Sequence, residues 1–402
     1  MSGPHVPLSV LDLVPVPSGA TAAQAVHNSI DLARRAEALG YRRYWFAEHH
    51  LNPGVAGTAP AVMIGLAAAA TRTIRVGSAG VQLGHRTPLS VVEEFGLLDC
   101  AYPGRLDLGL GRTQGARRRP GGANGADPAV AASAAPTPGT GADVTAAAAA
   151  AGAARPRREA HTVDGVLIPS PPPLERLRNS PRLALTRDLL QQPEAISPGY
   201  TEQIGDILAL WRGEYRYRGL DAHVTPGEGA GVELWILGSS GGESAEVAGH
   251  NGLRFTANYH VAPATVLDAV HGYRDAFRPG TELQHPYICV SVDVVVADGD
   301  TEARRLAEGY GLWVLGIRSG EGAIPFPTGE EAAAHVWTDQ DRELVADRIP
   351  TQIVGSPRTV VEQLERLVAV TGADELAVTT MTHGHADRVR SYELLAEHWG
   401  TS

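Results

Sequence analysis

The sequence predicts an α/β chain folded as a (β/α)8 barrel, with a long Ala/Pro/Gly-rich insertion after the fourth strand. Three observations carry this. Short β-rich runs alternate with helical patterns along most of the chain, the order of a parallel sheet closed by crossover helices. The strand candidates number eight, four on each side of a low-complexity stretch. The last element is a helix, as in a barrel, where each strand is followed by one. An open doubly wound sheet is the alternative. With 402 residues, 43% of them hydrophobic, the chain can fill such a barrel, and we expect one domain over residues 1–402, interrupted at about 116–180.

The elements follow in order. Pro7–Val14 is a strand. Thr21 and Gln24 form a capping box that starts a helix, and Gly40 ends it. Arg42–Ala47 is the next strand, Ala59–Ala70 a small-residue helix, Ile74–Val81 a strand, Thr87–Cys100 a helix and Leu106–Leu110 a strand. From about Ala116 to Pro173 the composition turns to Ala, Gly and Pro, with Arg117–Arg119 as a basic cluster. Such a segment buries too little apolar surface to offset its ordering entropy, which predicts disorder; a lid over the site is the alternative. Helical character returns over Pro173–Gly219. The series resumes with strands at Val232–Leu237, Leu253–Ala257, Pro286–Ala297 and Glu375–Thr380. Helices lie at Glu243–Ala248, Ala264–Phe277, Thr301–Leu315, after the Ser356–Pro357 cap, and at Val389–Trp399.

Composition excludes several function classes. A net charge of −11 argues against a nucleic-acid footprint. Two cysteines, Cys100 and Cys289, are too few for a disulfide framework or a cysteine-rich metal site, and both read as core residues. The N-terminal residues lack a signal-peptide pattern, and no apolar run approaches the ~20 residues of a membrane span. The expectation is a soluble, cytoplasmic protein.

The motif richest in chemistry is Tyr44-Trp-Phe-Ala-Glu-His-His50, an apolar strand that stops at a carboxylate and two imidazoles. At a barrel rim such groups do acid/base work. Neighbouring residues on a strand face opposite ways, so one of His49 and His50 points inward. No third ligand stands nearby in sequence, which argues against a metal. Asp107-Leu-Gly-Leu-Gly-Arg112 ends a strand with glycines and a guanidinium, suited to a phosphate or to an ion pair. Gly238-Ser-Ser-Gly-Gly242 opens a helix, offering N–H groups and hydroxyls to an anion. The same residues satisfy G-x-S-x-G, so a serine hydrolase with Ser240 as nucleophile and His383 or His385 as base is a competing reading. Val76-Gly-Ser-Ala-Gly-Val81 has glycines that either make room for a flat ligand or allow close packing.

In their order and wording these segments resemble the bacterial luciferase-like flavin monooxygenases. The resemblance rests on Ser9–Val16, Tyr44–His50, Ile74–Val81, Tyr102–Arg112, Leu234–Ser240 and Ala373–His383. It implies a barrel that binds FMN, as FMNH2, at the C-terminal ends of its strands. It places Arg112 on the flavin phosphate with Gly238, Ser239, Ser240 and Gly241. It places Ser78, Ala79 and Gly80 under the ring, often with a non-prolyl cis peptide, and Glu48, His49 and His50 at the catalytic rim. Reduced flavin would react with O2 to a C4a-(hydro)peroxide that oxidises a small organic substrate. It further implies a separate flavin reductase, a homodimer and a role in secondary metabolism. A non-catalytic flavin-binding member and a deazaflavin-dependent oxidoreductase are variants of this reading. Gly84-His-Arg-Thr-Pro88 departs from the Pro-Asn-His-type turn of close relatives, which puts the substrate side in question.

Overall fold

Alternating side chains explain how the strands close on themselves. In the computed structural model, which describes residues 5–112 and 158–400, the barrel strands are β1 (Leu8–Asp12), β2 (Arg43–Phe46), β3 (Arg75–Ser78), β5 (Leu106–Gly111), β10 (Glu233–Gly238), β11 (Arg254–Asn258), β12 (Ile288–Val296) and β14 (Glu375–Thr379). Each pairs in parallel with the next, and β14 returns to β1. The predicted four-plus-four arrangement is therefore the observed one. Short extra pieces were not legible: β4 (Val81–Gln82) extends the pairing with β5, and β13 (Ile353–Gly355) pairs with the far end of β12.

One set of side chains on each strand, including Val10, Tyr44, Phe46, Val76, Leu108, Ile236, Phe255, Val290 and Val378, packs outward into the main core against the helices. The alternate set fills the barrel. Its middle layer is Leu11, Trp45, Trp235, Cys289 and Ala377, with the two indoles edge to face at 4.8 Å. Below it lies a floor of charge. Arg43, 1% exposed, donates to Asp107 at 2.9 Å, Glu233 at 2.8 Å and Glu375 at 3.0 Å. Arg75 also reaches Asp107, and Arg254 reaches Glu233 at 3.4 Å. Ser9 and Tyr287 hydrogen-bond Glu375, and the Trp45 indole donates to Asp107 at 2.8 Å. Every buried charge of this floor thus has a partner on another strand, the condition under which burying it is tolerable.

The helices of interest are α1 (Ala22–Ala38), α2 (Pro60–Ala70), α3 (Pro88–Ala101), α4 (Glu175–Arg178), α5 (Pro181–Leu190), α6 (Tyr200–Arg212) and α7 (Glu243–His250). The Thr21/Gln24 capping box forms as predicted. Cys289 is buried, but Cys100 is exposed: it lies off the stripe of Val91, Val92, Phe95 and Gly96 that α3 buries. The predicted helix Thr301–Leu315 is two helices, Asp300–Leu306 and Tyr310–Ser319. The break brings Gly309 so close to the Pro327 carbonyl that a Cβ there would sit 2.5 Å from it.

Part of the segment expected to be disordered is folded. Residues 113–157 lie outside the described residues, and so does any lid or disorder expected of them. Residues 158–180 are folded: β6 (His161–Val163) and β7 (Val166–Ile168) form a hairpin, and Val166 and Ile168 join the core. Further on, β8 (Arg216–Tyr217) and β9 (Leu220–Asp221) form a second, exposed hairpin. The Asp164–Gly165 turn of the first has φ of 46° and 85°, the geometry that an Asp-Gly pair favours. That signal was in the sequence, masked by the composition around it. No described helix is long and apolar enough to cross a membrane.

Candidate active site

Two clusters form at the C-terminal ends of the strands, and the predicted residues divide between them. The first is built on the rim of β2. Alternation carries Arg43, Trp45 and Ala47 inward, and the chain then leaves regular pairing. Glu48 is 3% exposed and gathers four donors. His50 Nε2 lies 2.9 Å and His85 Nε2 3.0 Å from its Oε1. The Arg86 guanidinium donates to the same oxygen at 3.4 Å, and the Gln82 N–H donates to Oε2 at 2.9 Å. Burial pushes the carboxyl up, but these partners outweigh it and hold it at about 2. Glu48 therefore stays ionised and fixes His50.

The sequence offered no third ligand beside His49 and His50, and the fold supplies one in His85, which the departing turn Gly84–Pro88 delivers. The donor atoms of Glu48, His50 and His85 lie within 4.8 Å of one another. A cation there would meet the Arg86 charge on the same oxygen, which opposes it.

His49 is placed differently. Its ring makes no hydrogen bond among the described residues, while its backbone N–H donates to the Gly57 carbonyl at 2.8 Å. Burial, then the neighbouring His50, lower its pKa to about 4 against the pull of Glu48. A neutral ring with a lone pair to offer is the result. From the end of β11, directly across the barrel from β2, His260 comes close enough to interact electrostatically with it. Burial, Arg348 and His49 together push His260 well below the ordinary imidazole range. Sequence reading missed His260, although it stands two residues beyond the sixth strand, much as His49 stands three beyond the second.

The second cluster lies at the ends of β5 and β10. Arg112 donates to Glu243 at 3.3 Å in the first turn of α7. This ion pair brings it to the Gly238–Gly242 turn, as the resemblance expected. Ser239 is exposed, its Oγ accepts from Asn258 at 3.2 Å, and its carbonyl accepts from Thr265. The glycines are needed for packing: a Cβ on Gly238 would meet the Phe255 ring at 2.8 Å, and one on Gly241 the Asp268 carbonyl at 2.5 Å. Tyr200 of α6, hydrogen-bonded to the Leu110 carbonyl at 3.2 Å, closes this side and was not foreseen.

Between the clusters, Ala79–Gly80 is a cis peptide, as expected. Ser78 is another matter. Its hydroxyl is committed to Gly109, donating to the carbonyl at 2.9 Å and accepting from the N–H at 3.0 Å. Gly77 and Gly109 answer close packing: a Cβ on either would fall within 2.4 Å of backbone on the facing strand. The hydrolase reading fails on geometry. His383 Nε2 is bound to the Ser18 carbonyl at 3.0 Å and His385 Nε2 to Asp31 at 2.9 Å, which holds both rings beside β1 and α1, across the barrel from the Ser240 turn after β10.

A family model described as luciferase-like monooxygenase matches residues 6–131 and 180–375. The chain belongs to the luciferase-like monooxygenase family. Membership makes it an oxidoreductase of the flavin-dependent monooxygenase class. Among relatives of this luciferase-like chain, the Bacillus subtilis (strain 168) protein YvbT is 36% identical over 98% of this chain and 96% of its own. A luciferase-like monooxygenase of Escherichia coli (strain K12) is 31% identical over 98% and 97%. The crystal structure of apo-MsnO8 covers 99% of both chains with a TM-score of 0.72 and 31% identity. More distant barrels share the fold and divide by cofactor. The oxygenating constituent of 3,6-diketocamphane monooxygenase from Pseudomonas putida, solved with FMN, has a TM-score of 0.57 and 20% identity, covering 98% of this chain and 97% of its own. An F420-dependent secondary alcohol dehydrogenase has 0.55 and 15%, covering 97% of each chain.

Proposed function

We propose that this chain is an FMNH2-dependent monooxygenase that uses O2 to oxidise a small organic substrate, with FMNH2 delivered by a separate reductase and with a role in secondary metabolism. The observation that carries the reading is the pairing of an anion-suited turn with a neutral imidazole at one barrel mouth. Arg112, the Ser239 and Ser240 hydroxyls and the N–H groups of the turn form a donor set suited to a phosphate. The side chains present therefore fit the phosphate of FMN, with Ala79–Gly80 between that end and the His49 rim. Bound there, reduced flavin would supply the electrons that activate O2. The chain's own part is to orient and to keep dry. Trp45, Trp235 and Leu11 line an apolar interior that excludes water. His49 offers a neutral nitrogen that accepts a proton from the substrate or returns one, while Glu48 keeps His50 and His85 in place.

Titration with FMN, FMNH2 and a deazaflavin, followed by fluorescence and O2 uptake, tests the reading. FMNH2 is expected to bind and to drive O2 uptake with formation of an oxidised product. Arg112→Gln is expected to weaken flavin binding by roughly 10–100-fold, the loss of a charge-assisted contact. Binding of deazaflavin without O2 uptake would instead support the hydride-transfer chemistry of the F420 barrels. Flavin binding with neither reaction would support a non-catalytic member.

A homodimer through α2 and α3 is part of the same proposal. A helix that is apolar all round belongs in an interior, yet Val62 and Leu66 of α2 are 62% and 44% exposed, and Leu97 of the neighbouring α3 is 63% exposed. Leu97→Glu is expected to shift the sedimentation coefficient from dimer to monomer; an unchanged coefficient would place the contact elsewhere.

A further inference from the structure

A chain of hydrogen bonds joins the anion turn to the imidazole across the mouth. Asn258 Nδ2 donates to Ser239 Oγ at 3.2 Å. Ser291 Oγ lies 3.4 Å from Asn258 Oδ1, and His260 Nδ1 lies 2.6 Å from Ser291 Oγ. The chain runs from the end of β10 through β11 to β12 and back to the second residue after β11. His260 is also fixed by its backbone, whose N–H donates to the Ser291 carbonyl at 3.0 Å. Its Nε2 has no hydrogen-bond partner among the described residues, and the residue stands at the strand-end rim within electrostatic reach of His49.

Hydroxyls and amides give such a chain two self-consistent directions. In one, His260 Nδ1–H donates to Ser291, Ser291 donates to the Asn258 carbonyl oxygen, and the Asn258 amide donates to Ser239. The Ser239 proton is then free to point at a ligand, and His260 Nε2 is a bare acceptor. In the other, every donor is reversed with the Asn258 amide turned over: Ser239 donates to Asn258, Asn258 to Ser291, and Ser291 to Nδ1. His260 then carries its proton on Nε2. Ser291 Oγ also lies 3.4 Å from the Ala257 carbonyl, so it keeps an acceptor when Asn258 turns its amide N–H toward it, and either tautomer is then allowed. With the Asn258 oxygen toward Ser291, only the first direction avoids two acceptors facing each other. The ring must be neutral for the distinction to hold, and its burial beside Arg348 and His49 keeps it so.

We propose that an oxyanion seated on the Ser239 turn selects the first direction and thereby sets the tautomer of His260, turning Nε2 into a hydrogen-bond acceptor at the mouth. An anion needs the Ser239 O–H as a donor, and only the first direction leaves it free. Asn258 and Ser291 are positioning residues: they transmit occupancy of the phosphate end to the His260 ring at the strand-end rim. The tautomer link rests on the hydrogen bonds alone; that the natural anion is the flavin phosphate rests on the function proposed above.

The test is side-chain nitrogen NMR on the 15N-labelled full-length chain, with His260→Gln used to assign the ring. Inorganic phosphate is titrated first and FMN second, with FMN fluorescence recorded in parallel. The expected result is a His260 population that shifts toward the Nδ1–H form on adding either ligand. Ser291→Ala and Asn258→Leu are expected to abolish that response while changing FMN affinity by less than about tenfold, the loss of one neutral hydrogen bond beside the anion turn. An Nε2–H ring with phosphate or FMN bound, or a wild-type ring that responds to neither, overturns the proposal. Failure of FMN to bind while phosphate still shifts the tautomer would sink the flavin reading and leave the link standing.

Discussion

Replacing His49 with Asn is expected to lower kcat by roughly 10²–10⁴-fold, the contribution typical of one positioned acid/base group, with little change in flavin affinity. Among the described residues the ring makes no hydrogen bond, burial keeps it neutral, and it stands just beyond β2 at the strand-end rim. His50→Asn should cost far less activity, because that imidazole is held by Glu48. Steady-state turnover with FMNH2 supplied in excess measures both, and equal losses in the two variants would remove His49 from its role. The pH dependence follows from the lowered pKa. Activity that depends on neutral His49 stays flat through neutrality and falls only as pH approaches about 4. Stability follows the same group. Unfolded, the ring titrates near 6.5; folded, near 4. Between these values the unfolded chain binds more protons, so the stability gained by burying a neutral ring is complete above 6.5 and lost as pH falls toward 4. In denaturant titrations, His49→Asn should flatten that part of the acid limb.

The second large effect is on the barrel floor. Arg43→Leu is expected to destabilise the fold by about 3–5 kcal/mol, the penalty for leaving buried charges without their partner. Asp107 and Glu375 are fully buried and would face one another across the floor with less positive charge between them. Arg43→Lys should rescue only part of this, since an ammonium lacks the planar fork that here reaches three carboxylates at once. Urea unfolding of the three proteins gives the comparison. A loss below about 1 kcal/mol for Arg43→Leu would mean the floor behaves like a surface ion pair.

The barrel was legible because its strands are buried on both sides and bounded by caps and glycines. The run Tyr44–Ala47 and the long apolar strand ending at Ala297 could hardly be anything else. The phosphate-suited pair of Arg112 and the Ser239 turn was legible too, as two independent motifs, and only folding could show them joined through Glu243. The rim was less so. Alternation said that one histidine faces inward but not which, because the chain leaves regular pairing after Phe46. The choice of His49 that we propose rests on His85 and Arg86, which lie more than a helix away in sequence and claim Glu48 together with His50. His260 carries no local signal beyond its place after a strand. Seeking a polar residue after each of the eight strands would have found it. The hairpin at His161–Ile168 was lost for the opposite reason, a clear Asp-Gly turn set in a biased neighbourhood.

The charges of the floor are not shared evenly between the two runs of strands. The first four strands contribute Arg43, Arg75 and Asp107 to it, and the last four Glu233, Arg254 and Glu375. One half therefore carries a surplus positive charge into the interior and the other a surplus negative one. A half-barrel made from residues before the insertion would have to bury an unmatched guanidinium, and its complement an unmatched carboxylate. Although the sequence between the fourth and fifth strands is the obvious place to cut this chain, the two pieces are complementary ions rather than independent modules. They should become compact only on meeting each other, and high salt should hinder that meeting more than it disturbs the finished barrel.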